Sequence, residues 1–379
     1  MANIEISKAL LIDHHAHALR EHFLQLDAIG MRQAFSESHS ISQIRDHVPF
    51  TISYRDMLVK LGRLLDVDGE ESLIGLRDKM REGDYVDLLF DDASICAFII
   101  DDGLSNSLIA LDQFSVLTDR PVFRCRRIEA AIEEALLSCD SFERLIEAFP
   151  KVVFDSDKHK IVSLKTIAAY RGGLEIDLVS PVQAAADFER ARNETIQAAK
   201  TRVVKGPLYH FLLLEAFDLA ESRGIPVQIH SGLGDQDQDI RFSNPACMRR
   251  VLQSSRFTKT KFIFLHSYPY VREAALLCSI YPNVFMDISL ATFLAASAVP
   301  MCFAEALAVA PFTKILTSTD GHSIPETHWY GAVSLRKGLS TALGQLVDDE
   351  YTDIGSAQEI AAAILHGNAR QLYGLTDQI

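Results

Sequence analysis

Residues 9–17 read Ala-Leu-Leu-Ile-Asp-His-His-Ala-His. Four apolar residues run straight into an acid and three imidazoles. Side chains alternate faces along a strand, so His15 and His17 aim the same way and His14 the other. A short apolar run without clean alternation reads as a strand buried on both faces, the kind found in parallel sheets. Seven more such runs follow, at 95–100, 122–125, 161–165, 226–230, 261–266, 284–288 and 314–318. Helix-like segments stand among them at 127–148, 182–199, 209–223 and 269–280. Strands alternating with helices predict parallel strands joined by crossover helices, and eight units predict a (β/α)8 TIM barrel, an architecture of about 250 residues before insertions.

The chain has 379 residues, and the surplus falls between the first two strands. Residues 18–94 are far more than a crossover needs, and the patterning at 52–65 and 71–81 is helical. The expectation is one domain over 1–379, with a helical insertion at 18–94 lying over the barrel mouth. A last helix is expected at 357–372. A doubly wound open sheet is the alternative, but no G-x-G-x-x-G or P-loop supports it.

Composition narrows the function. Lys and Arg number 37 against 51 Asp and Glu, a net charge of −14, which disfavours nucleic acid as a partner. The longest stretch free of charged residues and histidine, 288–304, carries Ser289, Thr292, Ser297 and Pro300, so no membrane span is expected. Six cysteines at irregular spacing, without a C-x-x-C pair, read as free thiols. The N-terminus shows no leader pattern, and a cytoplasmic protein acting on a small molecule is expected, with homo-oligomerisation left open.

Four of the apolar runs end in metal-ligand chemistry: His15 and His17, His230, His266, and Asp320. Barrel enzymes carry their chemistry at the C-terminal ends of strands, and imidazole with carboxylate is the donor set for zinc and related divalent ions. Each residue alone reads equally well as a hydrogen-bonded interior group, but five at the ends of four strands form a pattern. A fifth run ends at Lys165, which could anchor an acidic substrate, bridge two ions once carboxylated, or pair with Asp13 or another acid. Tyr170, Arg171, Asp235, Arg241 and Glu326 follow strand ends and could read a substrate, the arginines favouring a carboxylate. Each could equally be a loop salt bridge. The acidic run 235–239 lacks EF-hand spacing and reads as a solvated loop. His322 and His328 read as groups beside the ligands.

With Asp13-x-His15-x-His17, His230, His266 and Asp320 in this order, the chain resembles the amidohydrolase superfamily. It resembles the amidohydrolase 2 branch in particular, and is similar to the amidohydrolase-like region of FluG-type proteins. Matching stretches lie at 164–174, 230–245, 265–270, 281–289, 318–326 and 364–375. The resemblance implies a divalent metal, usually zinc, held by His15, His17, His230 and Asp320. Asp320 would also move a proton, and His266 would orient or polarise the substrate. Lys165 falls where binuclear members carry a carboxylated lysine, so one ion is the default and a second would follow carboxylation. The implied function is metal-dependent hydrolysis of a C–N, amide-type bond in a small, carboxylate-bearing molecule. The alternative is a zinc-dependent non-oxidative decarboxylase of the aminocarboxymuconate-semialdehyde decarboxylase type. A non-catalytic binding protein would be expected to have lost ligands, and none is missing.

Overall fold

The computed structural model describes residues 2, 4–104, 107–154, 159–197 and 205–375. The chain divides into two compact units, Met1–Val122 with Asp287–Ile379, and Phe123–Met286. The described residues form seven strands, numbered β1 through β7 in chain order.

In the first unit β1 (Leu11–Ala16) is buried along its whole length and runs parallel to β2 (Ile95–Asp101), with Asp13 opposite Phe98. Between them come five helices: α1 (Ala28–Gln33), α2 (Ile41–Asp46), α3 (Ile52–Leu65), α4 (Gly69–Arg77) and α5 (Glu82–Asp92). Three of them start where the sequence supplies a cap. Asp27, Ser40 and Thr51 accept the backbone N–H of Gly30, Gln43 and Tyr54. Helix α3 buries Tyr54, Met57 and Leu61, spaced to share one face. The expected helix 71–81 forms as α4, which begins at Gly69 and stops at the buried Arg77.

The second unit carries β3 (Val122–Arg127), β4 (Ile161–Thr166), β5 (Val227–His230), β6 (Phe262–Leu265) and β7 (Val284–Met286), all parallel. Arg127 lies opposite Lys165, Lys165 opposite Gln228, and His230 opposite Leu265. The helix expected at 127–148 is two, Ile128–Ser138 and Phe142–Val153, because Ser141 accepts the Arg144 N–H and starts a new one. The helix expected at 182–199 is seen as Pro181–Gln197, residues 198 and 199 lying outside those described.

The run 314–318 does not form a ladder strand. Ile315 makes one bridge, and its carbonyl accepts a side-chain donor. Asn368 Nδ2 donates to the Ile315 carbonyl at 2.8 Å, and Thr317 Oγ1 donates to that of Ile364 at 2.9 Å. Those contacts coincide with a break in the last helix. Residues expected as one helix, 357–372, are Ile354–Ala362, a π turn at Ala363–Gly367, and Asn368–Leu372. All six cysteines are free thiols, four of them buried. No helix among the described residues is long and apolar enough to cross a membrane.

Candidate metal centre

The end of β1 meets the segment 319–323 through the backbone. Asp320 N–H donates to the His15 carbonyl at 3.0 Å, His17 N–H to that of Gly321 at 2.8 Å, and Arg20 N–H to that of Ser323 at 2.9 Å. Asp320 sits in the left-handed region (φ 54°), which turns its side chain back toward β1. Its Oδ1 lies 3.2 Å from His15 Nε2 and 3.4 Å from His17 Nε2. All three residues are buried, and one donor atom from each falls within 4.8 Å of the others.

The tautomer of His17 tests whether this cluster suits a cation. Its Nδ1 lies 2.8 Å from the carbonyl oxygen of Asp101, at the end of β2. A carbonyl only accepts, so Nδ1 carries the proton, and in the neutral ring Nε2 presents a lone pair. That lone pair and a carboxylate oxygen then face each other across 3.4 Å. Two acceptors held at this separation need a proton or a cation between them, and a ring nitrogen fixed from behind by a carbonyl is the usual support of a metal-ligating histidine. The donor set fits a divalent ion.

The surrounding groups hold this geometry. Asp13 Oδ1 accepts the Thr319 N–H at 2.9 Å, and Oδ2 accepts the Thr319 hydroxyl, which fixes the residue before Asp320. His14 faces away, as alternation requires. It lies 2.9 Å from Asp287 Oδ2 and 2.9 Å from the Tyr373 hydroxyl, in the interior. His328 is fully buried among Phe90, Phe98 and Phe114, with Nδ1 3.9 Å from Asp13 Oδ2. Its ring crowds Gly321, where a Cβ would come within 2.3 Å of Cγ. His322 is half-buried, and loss of solvent around its ring pushes its pKa down to about 4, against the pull of Asp320. Gly321→Ala is therefore expected to cost about 2 kcal/mol or more, because neither the enclosed ring nor the backbone tied to His17 has room to move. Gly75→Ala, in α4 with nothing within 4 Å, should be neutral or stabilising. Urea midpoints of the two variants check this, and equal midpoints would refute it.

The second unit gathers other expected residues. His230 ends β5 with its ring 4.4 Å from that of His266 and 4.6 Å from that of Tyr170. His266 and Ser267 both have positive φ, which turns the chain sharply after β6. The Tyr170 hydroxyl accepts the Asp235 N–H at 3.3 Å. Lys165 is buried near the end of β4. Arg171 follows Tyr170, half-buried. Asp235 accepts the Asp237 N–H at 2.8 Å in a tight turn. Arg241 is ion-paired to Asp239, with 78% of its side chain exposed. Glu326, in the first unit, is fully enclosed: Arg77 Nε stands 2.7 Å from Oε1 and the Tyr85 hydroxyl donates to the same oxygen at 2.8 Å. The site thus also uses groups not expected from the sequence. The Asp101 carbonyl is a backbone atom and leaves no trace there. Thr319 could have been suspected from its place beside Asp320.

Comparison with known proteins agrees with this picture. The profile of the family described as Amidohydrolase matches residues 162–375, more than half of the chain. Protein fluG of Emericella nidulans is 27% identical over 407 aligned residues, covering 97% of this chain and 46% of that protein, so the chain spans about half the length of this relative. A solved structure from Lactobacillus casei ATCC 334, provisionally described as a metal-dependent hydrolase, is 28% identical with a TM-score of 0.88, covering 99% of this chain and 98% of the other. Uronate isomerase of Thermotoga maritima shares the fold at a TM-score of 0.71 and 13% identity, over 96% of this chain and 94% of its own. On this profile match, and with parallel strands and a buried His–His–Asp cluster, the chain belongs to the amidohydrolase family and is an enzyme of the metal-dependent hydrolase superfamily with a distorted (β/α)8 barrel fold.

Proposed function

We propose that the protein is a zinc-dependent hydrolase that cleaves a C–N, amide-type bond in a small molecule. The observation that carries this reading is the confrontation of His17 Nε2 with Asp320 Oδ1 while His17 Nδ1 is committed to a carbonyl. His15, His17 and Asp320 would hold the ion, and His230 joins them in this proposal because it ends β5. When bound, a divalent ion supplies Lewis acidity, which polarises a carbonyl and lowers the pKa of water at the site to about 7. Asp320 takes the proton that water gives up and passes it to the departing nitrogen as the C–O bond forms and the C–N bond breaks. His266 orients the scissile carbonyl. Lys165 serves as a buried cation and, if carboxylated, as a bridge to a second ion. The excess of acidic residues supports a small-molecule substrate over nucleic acid, and a cytoplasmic setting belongs to the same reading.

Purified protein should hold close to one zinc per chain by elemental analysis and lose turnover on chelation, with zinc restoring it. Presented with N-acyl amino acids, γ-glutamyl amides and aromatic acids, it should release amine. Carbon dioxide without amine would replace hydrolysis by decarboxylation, and a protein that binds no divalent ion would end the proposal.

A further inference from the structure

Five polar residues after strand ends were candidates to contact a substrate, and the fold commits four of them elsewhere. Glu326 is enclosed with Arg77 and Tyr85. Arg241 pairs with its neighbour Asp239 in solvent. Asp235 closes a turn onto Asp237, and the Tyr170 hydroxyl accepts the Asp235 N–H. Arg171 is the exception: its Nε is enclosed and has no hydrogen-bond partner, and none of the ion pairs among the described residues involves it. A guanidinium stays protonated at any physiological pH. A half-buried cation has lost part of its hydration, and an anion that reached it would restore what the fold withholds.

We propose that Arg171 binds the carboxylate of the substrate, so that this enzyme acts on monoanionic carboxylic acids in preference to neutral amides or phosphate esters. That the bound anion is the substrate's own rests on the hydrolase reading above; that Arg171 is an anion site does not.

The turn that carries Arg171 is fixed before any ligand arrives. The Thr166 hydroxyl donates to Glu129 Oε1 at 2.6 Å and accepts the Ala168 N–H at 3.1 Å. The Ile167 N–H reaches the same Glu129 oxygen at 3.0 Å. The Tyr170 N–H closes onto the Ile167 carbonyl at 2.8 Å. After Arg171 the chain turns through Gly172 (φ 114°) and Gly173 (φ 104°). A Cβ at position 173 would lie 2.5 Å from Phe242 Cβ, and the Leu174 N–H then donates to the Phe242 carbonyl at 2.8 Å. An anchor ordered in advance leaves less entropy to be lost on binding. One step back in the same turn, the Tyr170 ring lies 4.6 Å from that of His230, a proposed ligand.

The neighbouring charge selects the kind of anion. Glu129 is buried and receives the Tyr209 hydroxyl at 2.7 Å as well as Thr166 and Ile167. Burial holds the Tyr209 proton firmly, Glu129 reinforces this, and the Arg171 charge opposes it, so one acid and one base act on the same hydroxyl. A carboxylate adds one negative charge beside Arg171 and can be met by the planar fork. A phosphate near two negative charges adds a second that Glu129 repels.

Calorimetric titration of the chelated protein isolates this anchor, because no ion is then present to take the anion. N-acetylglycine, its methyl ester and inorganic phosphate are the probes. The wild type should bind N-acetylglycine measurably, and the ester and phosphate at least about tenfold more weakly. Arg171→Gln should weaken N-acetylglycine roughly ten- to a hundredfold, Arg171→Lys should recover part of it, and Arg241→Gln should leave it unchanged. Zinc content should be the same in all four proteins. Equal binding by Arg171→Gln and wild type, no binding by the wild type, or tighter binding of phosphate would each overturn the proposal. Loss of zinc-dependent turnover with Arg171-dependent binding intact would instead sink the hydrolase reading alone.

Discussion

Asp320→Asn is expected to lower kcat/KM by roughly a thousandfold or more and to weaken zinc binding, while the protein still folds. The amide keeps the volume of the carboxylate, so the backbone bonds from Asp320 to His15 and from His17 to Gly321 survive. What disappears is the charge that faces two imidazole nitrogens at 3.2 and 3.4 Å. Removing a positioned proton acceptor costs about 10²–10⁴-fold by itself, and loss of an anionic ligand adds to that. His17→Ala should act mainly on metal content, because it deletes a neutral donor and leaves Asp320 in place. The two variants therefore separate the roles: zinc per chain falls furthest in His17→Ala, and turnover per bound zinc falls furthest in Asp320→Asn. Elemental analysis beside kcat/KM measures both. Full zinc occupancy with activity within a factor of two of wild type in both variants would remove this cluster from the chemistry.

The metal cluster could be read from the sequence because its parts obey local rules. His15 and His17 stand two apart at the end of one apolar run, His15 in β1 and His17 just past its last residue, Ala16. The α3 boundaries were readable from Thr51 as a cap and from the spacing of Tyr54, Met57 and Leu61. Features set by distant partners were not readable. The run 314–318 has the composition of a strand, but the side chain of Asn368, just after a π turn some fifty residues later, takes the Ile315 carbonyl. The break at Ser141 was available in principle, since a serine two residues after Cys139 is an ordinary cap, but the apolar periodicity on either side masked it. The proton of His17 is directed by a backbone carbonyl at Asp101, a group common to every residue.

Glu326 shows how a distant partner reverses a functional reading, and it gives the largest expected effect on stability. From the sequence it is an acid just past the last strand end, placed like a substrate contact. In the structure it opens the helix Pro325–Asp348 and is enclosed with Arg77 of α4, both side chains at 0% exposure. Arg77 also donates to the Phe23 carbonyl at 2.7 Å, and Tyr85 of α5 donates to Glu326, so one carboxylate ties two inserted helices to the C-terminal half of this unit. Glu326→Ala leaves a guanidinium buried without its counter-charge and is expected to cost about 3–5 kcal/mol. Replacing both partners together, Arg77→Met with Glu326→Leu, removes both charges and should cost clearly less than the single change, since the interior then loses an ion pair and not half of one. Tyr85→Phe should cost about 1–2 kcal/mol through the lost hydrogen bond to a charged acceptor. Urea unfolding of the four proteins gives the ordering. A Glu326→Ala protein as stable as wild type but with a raised KM would restore the substrate role. A double variant less stable than Glu326→Ala would show that the pair is held by more than its opposite charges.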